Sequence, residues 1–181
     1  MTKVGIIMGS SSDSRIMIGA AQMLDSFGIA HEDQIVSAHR TPTRLEEYAK
    51  HAQESGIAVI IAGAGGAAHL PGMMASFTSI PVIGVPIMIY NDKSESGKTS
   101  AFGGLDSLLS ISEMPTGSPV ACVGVNKAAN AAIYAAKMLA IRSPGLRKKL
   151  ERFKHERYDA VKSESARMQD VGLAKFVDKI K

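Results

Sequence analysis

The pattern of apolar runs predicts an α/β domain of three layers, α/β/α, with a parallel sheet at its centre and a C-terminal helical extension. Two observations carry this. Short runs rich in β-branched residues alternate with longer segments of helical period, and the run 57–62 is apolar at every position, as a strand covered on both faces requires. Strands that alternate with helices need crossover connections, which makes the sheet parallel and the crossovers right-handed.

The elements follow in order. Residues 4–8 form an apolar run that stops at Gly9. From Ser12 the period changes, with Ile16, Ala20, Met23, Leu24 and Phe27 on one helical face and Gly28 as the stop. Residues 34–36 read as a second strand and 42–54 as a helix, with Thr41 as N-cap and Leu45, Tyr48 and Ala52 facing inward. After the strand 57–62 come a short helix at 69–77 and a strand at 81–85. The stretch 87–102 is polar and irregular and leads into a helical turn at 105–111. A fifth strand is expected at 120–125, an Ala-rich helix at 127–141 and a last helix from 144 to about 165. With no linker and no repeat, residues 1–181 read as one domain, its core at about 3–141 and its C-terminal helix and tail at about 142–181.

Ala128, Ala129, Ala131, Ala132, Ala135, Ala136 and Ala140 surround the Ala-rich helix on nearly every face. Such a helix can be buried between the sheet and another subunit. High helix propensity alone also accounts for it, and the sequence does not separate the two.

Composition narrows the function classes. Of 181 residues, 45% are hydrophobic, enough to bury a core, and the formal net charge is +4. The excess cations gather between Arg142 and Lys162, where they read as the solvated face of a terminal helix rather than a nucleic-acid patch. Only 5% of residues are aromatic and none is Trp, which leaves little for stacking on bases. The single cysteine, Cys122, excludes an intrachain disulfide and sits in an apolar run that predicts a buried, inert thiol. The N-terminus enters a strand at once, and no apolar run is long enough to span a bilayer. A soluble, cytoplasmic protein without nucleic-acid or membrane partners is expected.

In a doubly wound sheet, ligands bind beyond the C-terminal ends of the strands. Three segments in such positions carry chemistry. The first is Gly9-Ser10-Ser11-Ser12-Asp13. Its hydroxyls and helix-terminal N–H groups can surround a phosphate, while Asp13 would repel one and suits sugar hydroxyls instead. A Ser/Asp helix cap with no ligand explains the segment equally well. It matches neither the dinucleotide fingerprint nor a Walker A loop.

The second segment is Ser37-Ala38-His39-Arg40-Thr41-Pro42. His39 can exchange a proton near neutral pH, and Arg40 is a fixed cation suited to phosphate. The third is Gly63-Ala64-Gly65-Gly66-Ala67-Ala68-His69-Leu70-Pro71-Gly72. Its small residues let backbone approach a flat ligand closely. His69 could donate to a carboxylate or cap its helix locally. His31, His51 and His155 fall on polar stretches and read as surface residues. No spaced His, Cys and carboxylate cluster suggests a metal. A Ser10, His39, Asp13 triad lacks the Gly-x-Ser-x-Gly elbow it would need.

These segments, in this order, resemble the N5-carboxyaminoimidazole ribonucleotide mutases, the class I form of the purine-pathway carboxylase family. The matching stretches are MGSSSD at 8–13, VSAHRTP at 36–42 and IIAGAGGAAHLPGM at 60–73, joined by PVIGVP at 81–86, GLDSLLS at 104–110 and MP at 114–115. The resemblance covers roughly residues 3–160 and implies a flavodoxin-like fold, usually assembled as a homo-octamer with sites at subunit contacts. It implies His39 as general acid/base, with substrate bound by Ser10, Asp13 and Arg40 and by the neighbouring Ser12 and Ser37. Gly65, Gly66, Ala67, His69 and Leu70 would form the loop near the migrating carboxylate.

The implied reaction belongs to purine biosynthesis. It moves a carboxyl group from the exocyclic nitrogen of N5-carboxyaminoimidazole ribonucleotide to ring carbon C4, with no cofactor or metal. Two alternatives remain. The class II relatives carboxylate aminoimidazole ribonucleotide directly with carbon dioxide, but carry an Arg-Ser-Asn-type third loop. A non-catalytic module binding a sugar phosphate or nucleotide would use Arg40 and leave His39 without a task. The chain departs from the family after Val85-Pro86, where the connection is lengthened into residues 87–102 and invites a lid or an altered subunit contact. Within it, Gly97-Lys98-Thr99 resembles the tail of a Walker A motif without its upstream glycine.

Overall fold

Five parallel strands in the order β2-β1-β3-β4-β5 form the centre of the protein in a computed structural model that describes residues 2–88 and 102–178. The strands are β1 (Lys3–Met8), β2 (His31–Ile35), β3 (Ile57–Gly65), β4 (Val82–Ile87) and β5 (Ala121–Cys122). This is the flavodoxin-like order, whose direction of winding reverses between β1 and β3. The helices are α1 (Ser14–Phe27), α2 (Pro42–His51), α3 (Leu70–Phe77), α4 (Leu105–Ser112), α5 (Ala128–Ala140), α6 (Pro144–Val171) and α7 (Leu173–Asp178). The expected α/β/α class and parallel sheet are what is found.

Both faces of the sheet are covered, which is why β3 and β4 are apolar throughout and β1 is apolar after Lys3. On one face Ile7, Ile60, Ala62 and Val82 pack with Leu45 and Ala49 of α2, Leu70 and Met74 of α3 and Ile111 of α4. On the other, α1 lies so close that a side chain at Gly63 would come within 2.4 Å of Met17 Sδ, so the absence of a Cβ sets the helix–sheet spacing there. The backbone of α5 passes near Gly19 of α1. In α5 the residues Ala128, Ala131, Ala132, Ala135 and Ala136 are buried, while Asn130, Tyr134 and Lys137 are exposed.

Several boundaries differ from the sequence reading. The second strand starts at His31 rather than 34, because β1 pairs with it from Val4↔His31 onward. Helix α2 stops at His51, where the chain turns through Gln53 to Gly56 into β3. The fifth strand is two residues long, not six. The Val123 and Asn126 N–H groups still reach β4 carbonyls, but Asn126 adopts φ 59 and turns the chain away from the ladder. Cys122 is half-buried rather than buried; burial still pushes its thiol pKa up. Of the lengthened connection, Ile87 ends β4 and the Met88 N–H donates to Asn126 Oδ1. Residues 89–101, with Gly97-Lys98-Thr99, lie outside the described residues.

The chain divides into two compact units, Met1–Leu139 and Ala140–Lys181. Within the second, α6 continues past 165 to Val171 and buries no residue. It is capped by the Ser143 hydroxyl, which accepts the Leu146 N–H, and pairs Arg152 with Glu156 and His155 with Asp159 along its surface.

Candidate active site

Strands β1, β2 and β3 end side by side, so the three segments that follow them meet at the point where the sheet reverses its winding. They enclose a cavity of about 340 Å³, a size that suits a small ligand.

The first segment is held by its own cap. The Ser10 hydroxyl accepts the Ser12 N–H, and Asp13 Oδ2 accepts the Ser10 N–H at 3.0 Å. This reciprocal arrangement is a capping box. It does not remove these residues from the site, because Gly9, Ser10, Ser12 and Asp13 all line the cavity. Asp13 is 7% exposed, and burial raises its carboxyl above the ordinary value. The N–H groups of Ser10 and Gly9 and the charge of Arg40 oppose that shift.

The second segment winds into α2 around Ser37. Thr41 occupies the N-cap position, but its hydroxyl does not cap the helix. It accepts the Ser37 N–H and donates to the Ser37 carbonyl, both at 3.0 Å. The resulting loop projects His39 and Arg40. Arg40 is tied on two sides, its Nε donating to Ser37 Oγ at 3.2 Å and its Nη2 to the Gly9 carbonyl at 2.6 Å. A cation from the second loop therefore braces the first.

The third segment turns at Gly66, which has φ 62, a conformation that costs an L side chain about 1–2 kcal/mol. Gly65, Ala67, His69 and Leu70 line the cavity, together with Ala64 of β3 and Ala38 of the second loop. Gly66 is the one expected site residue that does not line it; its part is to make the turn. His69 stands at the N-cap of α3 without a side-chain capping bond. Its Nδ1 lies 2.8 Å from His39 Nε2 instead, with the rings edge to face.

The sequence treats His39 and His69 as separate candidates thirty residues apart. Their pairing follows from strand order. Two further residues carry no motif signal. Arg44, in the first turn of α2, donates to Gln34 Oε1 at 3.1 Å, and the Gln34 amide nitrogen donates to Glu32. Among the described residues, no group of three or more His, Cys, Asp or Glu is arranged to hold a metal ion, and no helix is long and apolar enough to cross a membrane.

Comparison with known proteins places the chain in a family. The family described as AIR carboxylase matches residues 3–160. The N5-carboxyaminoimidazole ribonucleotide mutase of Thermotoga maritima is 51% identical over 178 residues, covering 98% of each chain. The phosphoribosylaminoimidazole carboxylase of Candida glabrata is 47% identical over 97% of this chain, which spans 29% of that longer protein. The crystal structure of Treponema denticola PurE shares the fold, with a TM-score of 0.78 at 24% identity, over 93% of this chain and 99% of that one. With a family match spanning most of its length and relatives near half identity end to end, this chain belongs to the AIR carboxylase family.

Proposed function

We propose that the protein is an isomerase of purine biosynthesis that interconverts N5-carboxyaminoimidazole ribonucleotide and 4-carboxyaminoimidazole ribonucleotide, with His39 as general acid/base. The observation that carries this reading is the His39–His69 contact at 2.8 Å on the wall of a cavity that also holds Arg40. Relatives named as N5-carboxyaminoimidazole ribonucleotide mutases support it across nearly the whole chain.

The chemistry asks for one proton twice. The exocyclic nitrogen needs a proton as its carboxylate leaves, and C4 must lose one after it takes up carbon dioxide. A contact between two ring nitrogens needs one N–H between them, so the tautomers of His39 and His69 are coupled. With the proton on His39 Nε2 that atom is an acid; with the proton on His69 Nδ1 it is an acceptor. In the first step His39 Nε2 gives its proton to the exocyclic nitrogen, and in the second it takes one back from C4, so the pair returns to its starting state. Ala38, Ala64, Gly65, Ala67 and Leu70 give the cavity small and apolar walls, which suits retaining carbon dioxide beside aminoimidazole ribonucleotide. Ser10, Ser12, Ser37 and Arg40 would take the phosphate and Asp13 the ribose. Gly66 would shape the loop.

The rest of the reading is a single catalytic domain with a C-terminal helical extension, working in the cytoplasm as a homo-octamer. Exposed Phe102, Leu105 and Leu109, at helical spacing, offer apolar surface for subunit contact, and the mass in solution tests the assembly. The deciding experiment supplies either N5-carboxyaminoimidazole ribonucleotide, or aminoimidazole ribonucleotide with and without bicarbonate, to wild type and His39→Asn. Conversion of the first substrate without bicarbonate is expected, and His39→Asn should bind ligand but lose at least about 10²-fold in turnover. Near-normal turnover in the variant would sink the assignment of His39. Dependence on bicarbonate would move the enzyme to direct carboxylation.

A further inference from the structure

A second cavity, of about 370 Å³, adjoins the first and shares Gly9, Ser10, Ser37 and Arg40 with it. Its remaining lining includes Ser11, Thr41 and Arg44, and no carboxylate. The first cavity, in contrast, holds Asp13 and both histidines beside Arg40. The joined space is therefore polarised, with Asp13 and the two histidines in the first cavity only, Arg44 in the second only and Arg40 shared by both. We infer that Arg44 is a further binding residue, one that recognises the dianionic phosphate of the substrate from the outer cavity. This rests on the functional reading given above and extends it to a residue just beyond the motif at 36–42.

The position of Arg44 is set by a chain of polar contacts along β2. Lys3 Nζ pairs with Glu32, Glu32 accepts from the Gln34 amide nitrogen at 2.9 Å, and the Gln34 oxygen accepts from Arg44 Nη2 at 3.1 Å. A carboxylate can only accept and a guanidinium can only donate, so the Gln34 amide has one orientation that serves both. Glu32 and Gln34 stand two apart in the strand and share a face. The sheet edge thus holds an otherwise mobile arginine side chain beside the cavity before any ligand arrives, which lowers the ordering cost of binding. Arg44 is exposed, so its charge acts across water and its effect is modest and sensitive to salt.

The test compares wild type, Arg44→Gln and Arg44→Lys as full-length, folded proteins. In Arg44→Gln the KM for the ribonucleotide should rise about three- to fivefold with kcat within about twofold. Inorganic phosphate should become a weaker competitor by a similar factor, and the fall of kcat/KM with salt should flatten. Arg44→Lys should recover most of both effects. If wild type turns over the ribonucleotide and Arg44→Gln matches it in KM and in phosphate inhibition, the inference fails while the functional reading stands. If wild type converts nothing, the functional reading fails. The inference is then decided by direct titration with inorganic phosphate, where equal affinity in wild type and Arg44→Gln overturns it and a threefold or greater loss supports it.

Discussion

Two regions of this protein are rich in basic side chains, and they differ in how those side chains are held. In α6, Arg152 and His155 pair with acids one turn away, with most of their surface in water. In the loop after β2, Arg40 is bonded to Ser37 and to the carbonyl of Gly9 in a different loop, and His39 meets the ring of His69. The helix has more charge, and the loop has restraint. Exposed pairs on a helix contribute little because water screens them and their side chains stay free. Groups fixed by bonds to separate strand ends have already lost that freedom, which is what a site needs.

The comparison can be tested from its most consequential side chain downward. His69→Asn removes one half of the imidazole pair and should lower turnover by about 10²-fold, with ligand affinity changed much less. A steady-state assay beside a binding titration separates the two, and a variant as fast as wild type would reduce the pair to a packing contact. Asp13→Asn probes the restraint of the first loop. Because burial raises the folded-state pKa of Asp13, the native state holds that proton more tightly than the unfolded chain does. Its contribution to stability is therefore present below the ordinary value of 3.8 and is lost as pH rises through the raised one. Denaturant titrations across that range should show wild type losing stability relative to Asp13→Asn as pH increases; a constant difference would contradict the burial argument. The smallest effect belongs to α6. Arg152→Gln should change stability by no more than about 0.5 kcal/mol and leave kcat/KM unaltered, as a melting curve and an assay would show.

Much of this was legible in the sequence, and the gaps have physical causes. The apolar run of β3 and the helical period of α1 announced themselves because burial on a fixed face leaves a periodic trace. The fifth strand did not end where its apolar residues end, since the left-handed turn at Asn126 is a backbone event that hydropathy does not record. Ser10 and Asp13 fitted a helix cap and a ligand loop equally well in sequence, and in the fold they cap a turn while lining the cavity. All the expected site residues except Gly66 came to one place, but their mutual contacts could not be read off. His39 touches His69 because β1 alone separates β2 from β3, and strand order is a property of the whole sheet. Arg44 escaped notice because its partner, Gln34, sits on the neighbouring strand with no motif around it.

The brace from Arg40 to Gly9 has a consequence for how this site should be dissected. Truncating Arg40 would delete a positive charge and, in the same stroke, cut a strut between two loops. The measured loss would lump together the attraction for an anion and the disorder released in the Ser10 turn. An alanine at this position would therefore overstate the electrostatic share. Pairing it with a change at Ser37, in a double-mutant cycle, would return only the Arg40–Ser37 contact within the second loop as a coupling energy; the bond to the Gly9 carbonyl has no side chain to remove and stays merged with the charge's own contribution.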